Sequence, residues 1–207
     1  MEKYYWIGGC PSGGKSTIAQ KISEAAKIEL YHTDDLASKY DLILNPQEHP
    51  NIYKMNHTNF DEFIMLPDDV WLNTFIAGMK EICPVILSDI KMQFAGKSVI
   101  IEGGELLPEF MYDYGIIRHA ILVNPTYEYL CDYLPRQVWV RRVLSFLNSD
   151  EYKSLFLRNL IRKYNLYREY LIDSAKKYDV KTIVTSAQNS LIDNLTIVTK
   201  HFSLSGK

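Results

Sequence analysis

Between residues 9 and 16 the chain reads Gly9-Cys10-Pro11-Ser12-Gly13-Gly14-Lys15-Ser16, a complete G-x-x-x-x-G-K-S pattern. Glycines at this spacing let successive backbone N–H groups curl around a phosphate, and a helix starting at the end of the loop adds partial positive charge. The flanks supply that context. Tyr4-Tyr5-Trp6-Ile7 is an aromatic and β-branched run that predicts a buried strand. Thr17 to Ala26 combines helix formers with apolar residues at Ile18, Ile22 and Ala25/Ala26. The expectation is a nucleoside triphosphate site in which Gly9, Ser12, Gly13, Gly14, Lys15, Ser16 and Thr17 hold the phosphates. Lys15 would reach the β- and γ-phosphates, and the Ser16 hydroxyl would bind Mg²⁺.

Two acidic positions extend this chemistry. Asp34 lies 19 residues after Lys15, at the end of a predicted second strand over Ile28–His32. A carboxylate at that strand tip faces the γ-phosphate and can accept a proton from an acceptor hydroxyl or help hold Mg²⁺. Its neighbour Asp35 is read mainly as a helix cap. Glu102 ends a third strand over Ser98–Ile101, a position suited to a magnesium helper, and a structural ion pair is the alternative for it. The five histidines (32, 49, 57, 119 and 201) show no ligand spacing, and the three cysteines (10, 83 and 131) do not cluster, so no metal-cluster site is expected. Cys10 and Ser12 are not read as nucleophiles, because the variable positions of such a loop mainly present backbone.

The elements that must position these groups alternate between strand and helix. Further strands are expected at His119–Val123 and Lys181–Thr185, with a closing helix from about Ser190, capped by Asn189 or Ser190. Short apolar runs separated by helices imply a parallel sheet covered on both faces, with ligands at the strands' carboxyl ends. Residues 41–97 are too long for one crossover and read as a mostly helical, acceptor-side insertion, with Pro84 as a kink or break. Residues 126–180 begin with a Pro- and Arg-containing stretch, read as a lid over about 126–150, and continue as a long helix from about Glu151 to Tyr178. The 207 residues are expected to form a single domain.

Composition excludes several classes. The few scattered cysteines argue against a disulfide framework and suit a reducing compartment. With neither a membrane-spanning apolar run nor an N-terminal signal pattern in the sequence, a cytoplasmic protein without membrane association is expected. The net charge is −2, distributed unevenly: residues 1–125 carry 10 Lys/Arg against 17 Asp/Glu, whereas residues 136–168 carry eight basic residues against two acids. That basic stretch could serve phosphates, with Lys153 and Lys163 read as solvated helix-face residues. Nothing resembles a dedicated nucleic-acid module.

Among phosphate-loop proteins, GTPases need Asp-x-x-Gly and Asn-Lys-x-Asp, and neither occurs in the chain. Large oligomeric ATPases and helicases need more residues. The phosphate loop, Tyr31-His32-Thr33-Asp34-Asp35 and Ile101-Glu102-Gly103-Gly104-Glu105-Leu106-Leu107-Pro108 resemble the adenylate-kinase-like group of P-loop small-molecule kinases. More closely, Ile7-Gly8-Gly9, the Glu102–Pro108 strand end, Asn124-Pro125-Thr126 and Tyr133-x-x-Arg136-x-x-Trp139-Val140 resemble a bacterial family of uncharacterised ATP-binding P-loop proteins. The resemblance implies a three-layer α/β/α fold with a five-stranded parallel sheet in the order 2-3-1-4-5 and a lid after the fourth strand. It also implies that Arg136 and one of Arg141 or Arg142 clamp the phosphates when the lid closes; the predicted catalytic set is Lys15, Asp34, Arg136 and Arg141. Independently, a bidentate guanidinium is well matched to the charge that spreads over oxygens during phosphoryl transfer.

These residues together predict an ATP- and Mg²⁺-dependent phosphotransferase acting on the hydroxyl of a small molecule. A nucleoside or nucleotide kinase, and an ATP-dependent switch that docks a protein partner around Trp71, are the alternatives. Trp139 is read as a packing anchor rather than an adenine stacker, and Ser186-Ala187-Gln188 is placed near the base. For the acceptor pocket, His57, Asp61, Trp71 and Asp89 are the polar or aromatic candidates. The acidic insertion disfavours a highly phosphorylated acceptor.

Overall fold

The computed structural model describes residues 3–37 and 39–204. Five parallel strands, β1 (Tyr4–Gly8), β2 (Glu29–His32), β3 (Val99–Glu102), β4 (Ala120–Pro125) and β5 (Thr182–Thr185), form one sheet in the order β2-β3-β1-β4-β5. Every strand expected from the sequence is present, with ends shifted by no more than two residues.

Period-two alternation sends successive side chains to opposite faces. Tyr5, Ile7, Ile100, Ile121 and Val123 enter one core, where α1 (Lys15–Ala26) contributes Ile18 and Ile22 and α11 (Leu191–His201) contributes Val198. Trp6, Val99, Ile101, Ala120 and Leu122 enter the other. That second core is covered by α6 (Asp68–Gln93), α7 (Pro108–Asp113) and α10 (Asp150–Tyr178). Burial on both faces is why these strands read as continuous apolar runs. The closing helix α11 is capped by Ser190 through a capping box with Asp193, which settles the choice between Asn189 and Ser190.

A short helix α2 (Asp34–Ala37) follows β2, and within the expected insertion the chain is helical: α3 (Tyr40–Ile43), α4 (Pro50–His57) and α5 (Phe60–Met65) precede α6. Pro84 does not break α6, which runs through it for 26 residues. An interior proline costs about 3 kcal/mol, but Ile82, Cys83, Ile86 and Leu87 around it are buried, and their packing outweighs that cost. By length and composition α6 could cross a membrane, a property that the sequence reading did not assign to it. Here its Trp71, Ile82, Ile86 and Ile90 are buried in the protein core. Trp71 is 1% exposed, so it cannot form the partner-docking surface of the switch reading.

After β4 the chain forms α8 (Tyr127–Tyr133), a 3₁₀ turn (Leu134–Arg136), α9 (Val138–Phe146) and then α10. Lys153 is solvent-facing and pairs with Asp150, as a helix-face residue should. Lys163 does not follow that pattern. It is fully buried, and its Nζ donates to the Leu66 carbonyl and to Asp68 Oδ1, both at 2.5 Å. The correction has a physical cause: two charge-assisted hydrogen bonds at the α5–α6 junction offset the desolvation of the ammonium.

The phosphate loop is held against the sheet more closely than a side chain would allow. A Cβ on Gly13 would lie 2.4 Å from the Val123 carbonyl oxygen, and one on Gly9 would lie 2.2 Å from it. Because the obstruction is β4 backbone, it cannot rotate away. Gly13→Ala is therefore expected to destabilise the protein by about 2–4 kcal/mol, seen as a drop in thermal midpoint of roughly 5–15 °C. An unchanged midpoint would show that the loop is not wedged in this way.

Candidate active site

The loop between β1 and α1 owes its shape to positive φ at Gly9, Ser12 and Gly14, 130°, 64° and 88°. Side chains from the neighbouring strands fix it. The Cys10 N–H donates to Asn124 Oδ1 at 2.9 Å, and the Thr185 hydroxyl donates to the Gly13 carbonyl at 2.7 Å. Lys15 is buried, and its ammonium donates to the Cys10 carbonyl at 3.1 Å. The start of α1 has no side-chain cap and no acidic residue in its first turn. By contrast, α5, α6, α10 and α11 all carry acids there. The free N–H groups and positive dipole end of α1 thus remain available to an anion.

These features fit the triphosphate and Mg²⁺ that the motif implies. The Ser12 hydroxyl is buried and has no hydrogen-bond partner among the described residues. Ser16 and Thr17 are exposed at the helix start. Among the described residues no three His, Cys, Asp or Glu side chains converge on a cation.

A cavity of about 590 Å³ adjoins the loop, lined by Ser12, Lys15 and Ser16 on one side and Asp34, Glu102 and Glu105 on another. The loop and both acids chosen from sequence therefore meet in one cavity. Asp34 opens the first turn of α2, directly after β2, and its carboxylate makes no hydrogen bond or ion pair with another described residue. Desolvation in the cleft and the nearby Glu102 charge raise its pKa, with Lys15 and His32 acting in the opposite direction. Asp35 lies inside the same first turn rather than before it, so it is not the cap expected from sequence. Glu102 is buried, and one of its oxygens is 2.9 Å from His32 Nδ1. It joins the ion-pair position and the cavity-lining position that sequence reading treated as alternatives.

Sequence reasoning missed Glu105. Its Oε2 accepts from the Thr33 hydroxyl at 2.5 Å, and burial and the charge of Asp34 push its pKa up. Its signal was the Gly103-Gly104 pair before it. A Cβ on Gly103 would lie 1.8 Å from Thr33 Oγ1, so glycine is what brings the Glu105 loop against the end of β2. Also missed were Asn124 and Thr185, which anchor the loop, and Tyr164, whose ring lines the cavity.

The named acceptor candidates lie elsewhere. Trp71 is core, Asp89 accepts from Tyr31, Asp61 accepts from Tyr152, and His57 is stacked on Tyr53. None of the four lines the cavity. The walls away from the loop are instead Phe60, Phe75, Met79, Trp139 and Tyr164. Trp139 packs edge-on against Phe60 and Tyr164, 5.7 and 6.2 Å between ring centres, and it also faces the cavity. Cys10 is fully buried, and burial pushes its thiol up to about 12, in keeping with its exclusion as a nucleophile.

Arg136 and Arg141 are exposed and do not line the cavity. Arg136 is paired with Asp132 and lies over the Tyr133 ring. Arg168 lies nearer the loop: its Nε donates to the Pro125 carbonyl at the end of β4, 2.7 Å away. Thr185, hydrogen-bonded to the loop, immediately precedes Ser186-Ala187-Gln188.

Two solved structures share this architecture over nearly the whole chain. One is a candidate kinase from Chloroflexus aurantiacus J-10-fl, at 14% identity and TM-score 0.52, matched over 97% of this chain and 98% of that one. The other is a gluconokinase from Sinorhizobium meliloti 1021, at 14% identity and TM-score 0.51, matched over 99% and 93%. Likeness at this identity establishes the fold alone, an α/β architecture with a five-stranded parallel sheet in the order 2-3-1-4-5. No protein-family model matches the sequence, and no curated protein matches it either.

The raised pKa of Glu105 has a consequence for stability. A carboxylate raised above its ordinary value of ~4.3 binds its proton more tightly when folded. The stability that this confers is full below the unfolded value and is lost as pH rises through the folded value. Glu105→Gln keeps an acceptor for Thr33 and removes the charge. Its stability relative to the parent, from urea midpoints, is expected to grow between pH 4.5 and pH 7.5. A pH-independent difference would contradict a strained carboxylate.

Proposed function

We propose that the protein is an ATP-dependent phosphotransferase that transfers the γ-phosphoryl group to a hydroxyl of a small molecule. The observation that carries this reading is the meeting of the phosphate loop and the unpartnered Asp34 carboxylate in one cavity with room for an acceptor. The loop N–H groups and Lys15 bind and orient the β- and γ-phosphates, and Ser16 would hold Mg²⁺, with Asp34 and Glu102 as the acidic residues that would assist it. The metal supplies charge neutralisation at the transferring group.

Asp34 takes the proton of the acceptor hydroxyl as the acceptor oxygen bonds to the γ-phosphorus. The bond from that phosphorus to the oxygen bridging to the β-phosphate breaks, and ADP leaves with the electron pair. Arg136 and Arg141 lie outside the cavity in this conformation. In the proposal they approach the phosphates when residues 126–150 close as a lid, stabilising the transition-state charge. The chain is taken to act as one domain, in the cytoplasm, on a diffusible acceptor.

Asp34→Asn is expected to bind ATP as the parent does and to lose about 10²–10⁴ in acceptor-dependent ADP formation. Before any ligand binds, Asp34 is expected to titrate above the ordinary aspartate value of ~3.9, because its folded pKa is raised. A variant that turned over like the parent would remove Asp34 from the role of base.

A further inference from the structure

The cavity is unevenly charged in a way that bears on the acceptor. Among its described lining residues Asp34, Glu102 and Glu105 are acidic and Lys15 is the only basic one. Lys15 is committed to the phosphates, and Glu102 has His32 beside it. Asp34 is assigned to the metal and the acceptor proton, which leaves Glu105 facing the acceptor side without a cation assigned to it. The Thr33 hydroxyl donates to the Glu105 Oε2. Tyr164 is 9% exposed and lines the same space, and its hydroxyl makes no hydrogen bond with another described residue. Opposite these polar groups the wall is aromatic, with Phe60, Phe75 and Trp139.

A carboxylate- or phosphate-bearing acceptor would bring a further negative charge to a wall with no free cation, at a cost that grows as water is excluded. A neutral acceptor would leave the Glu105 carboxylate unneutralised. An ammonium group offsets both, donating to Glu105 and the Tyr164 hydroxyl, and a cation is attracted to aromatic faces, tryptophan most of all.

We infer that the acceptor is a cationic amino alcohol with an apolar or aromatic body, its ammonium held at Glu105, its body against Trp139 and its hydroxyl presented to Asp34. This rests on the phosphotransferase reading and narrows it to one substrate class. The amine stays protonated throughout; only the hydroxyl proton moves, to Asp34.

Three probes share a phenyl carbinol and differ in charge: 2-amino-1-phenylethanol, 1-phenylethane-1,2-diol and mandelate. Binding of each is measured by calorimetry in the presence of Mg²⁺ and a non-hydrolysable ATP analogue, and ADP and ester formation are measured with ATP. The amine is expected to bind about 10- to 100-fold more tightly than the diol, with mandelate weakest. In Glu105→Gln the gap between amine and diol closes, and binding of the ATP analogue reports that the variant is folded. Equal binding of all three, tighter binding of the diol or mandelate, or binding of none overturns the inference. If the diol or mandelate is phosphorylated and the amine is not, the inference falls while the phosphotransferase reading stands. If the amine binds preferentially but no ester forms, the charge preference stands and the phosphotransferase reading falls.

Discussion

The site depends on the close approach of the Gly9 and Gly13 backbone to the Val123 carbonyl of β4. Peptide groups within contact distance of a strand leave no volume for side chains. Asn124 and Thr185 complete the restraint from the ends of β4 and β5. Three strands therefore converge on one loop: β1 delivers it, and the other two hold it. The energy that orders the loop comes from sheet packing, so α1 can begin without a cap and keep its positive end for a ligand.

The second organising feature is charge without compensation. A cleft that raises the pKa of both Asp34 and Glu105 holds groups the fold alone would not choose. The Thr33 hydroxyl stabilises one of them, and the Gly103 backbone is shaped so that this contact can form. Burial and the neighbouring carboxylates raise the basicity of Asp34. Stability and function pull in opposite directions at the end of β2 and in the loop after β3, as expected where a site is built for a ligand.

Much of this was legible in the sequence, for identifiable reasons. The phosphate loop is a contiguous motif, and each strand is a short apolar run bounded by turn residues, so fold and loop could be read locally. Glu102 and Asp34 followed from their positions at strand ends. The acceptor wall could not be read this way. Phe60, Phe75, Trp139 and Tyr164 come from three separate segments, α5–α6, α9 and α10, and only tertiary packing brings them together. The same holds for Lys163, whose helical spacing suits a surface residue but whose partners, Leu66 and Asp68, lie nearly 100 positions away. Pro84 misled for a related reason, since a local propensity was overridden by burial on both sides of it.

The fate of the γ-phosphoryl group separates a phosphotransferase from a protein that only hydrolyses ATP. The most direct measurement incubates the protein with γ-³²P-labelled ATP, Mg²⁺ and a fractionated pool of small hydroxyl compounds, then separates labelled products by charge and size. Label in an organic phosphate ester, dependent on one fraction of the pool, is the predicted result. Label found only in inorganic phosphate, at a rate indifferent to every fraction, would contradict a phosphotransferase and describe a protein that binds and hydrolyses ATP.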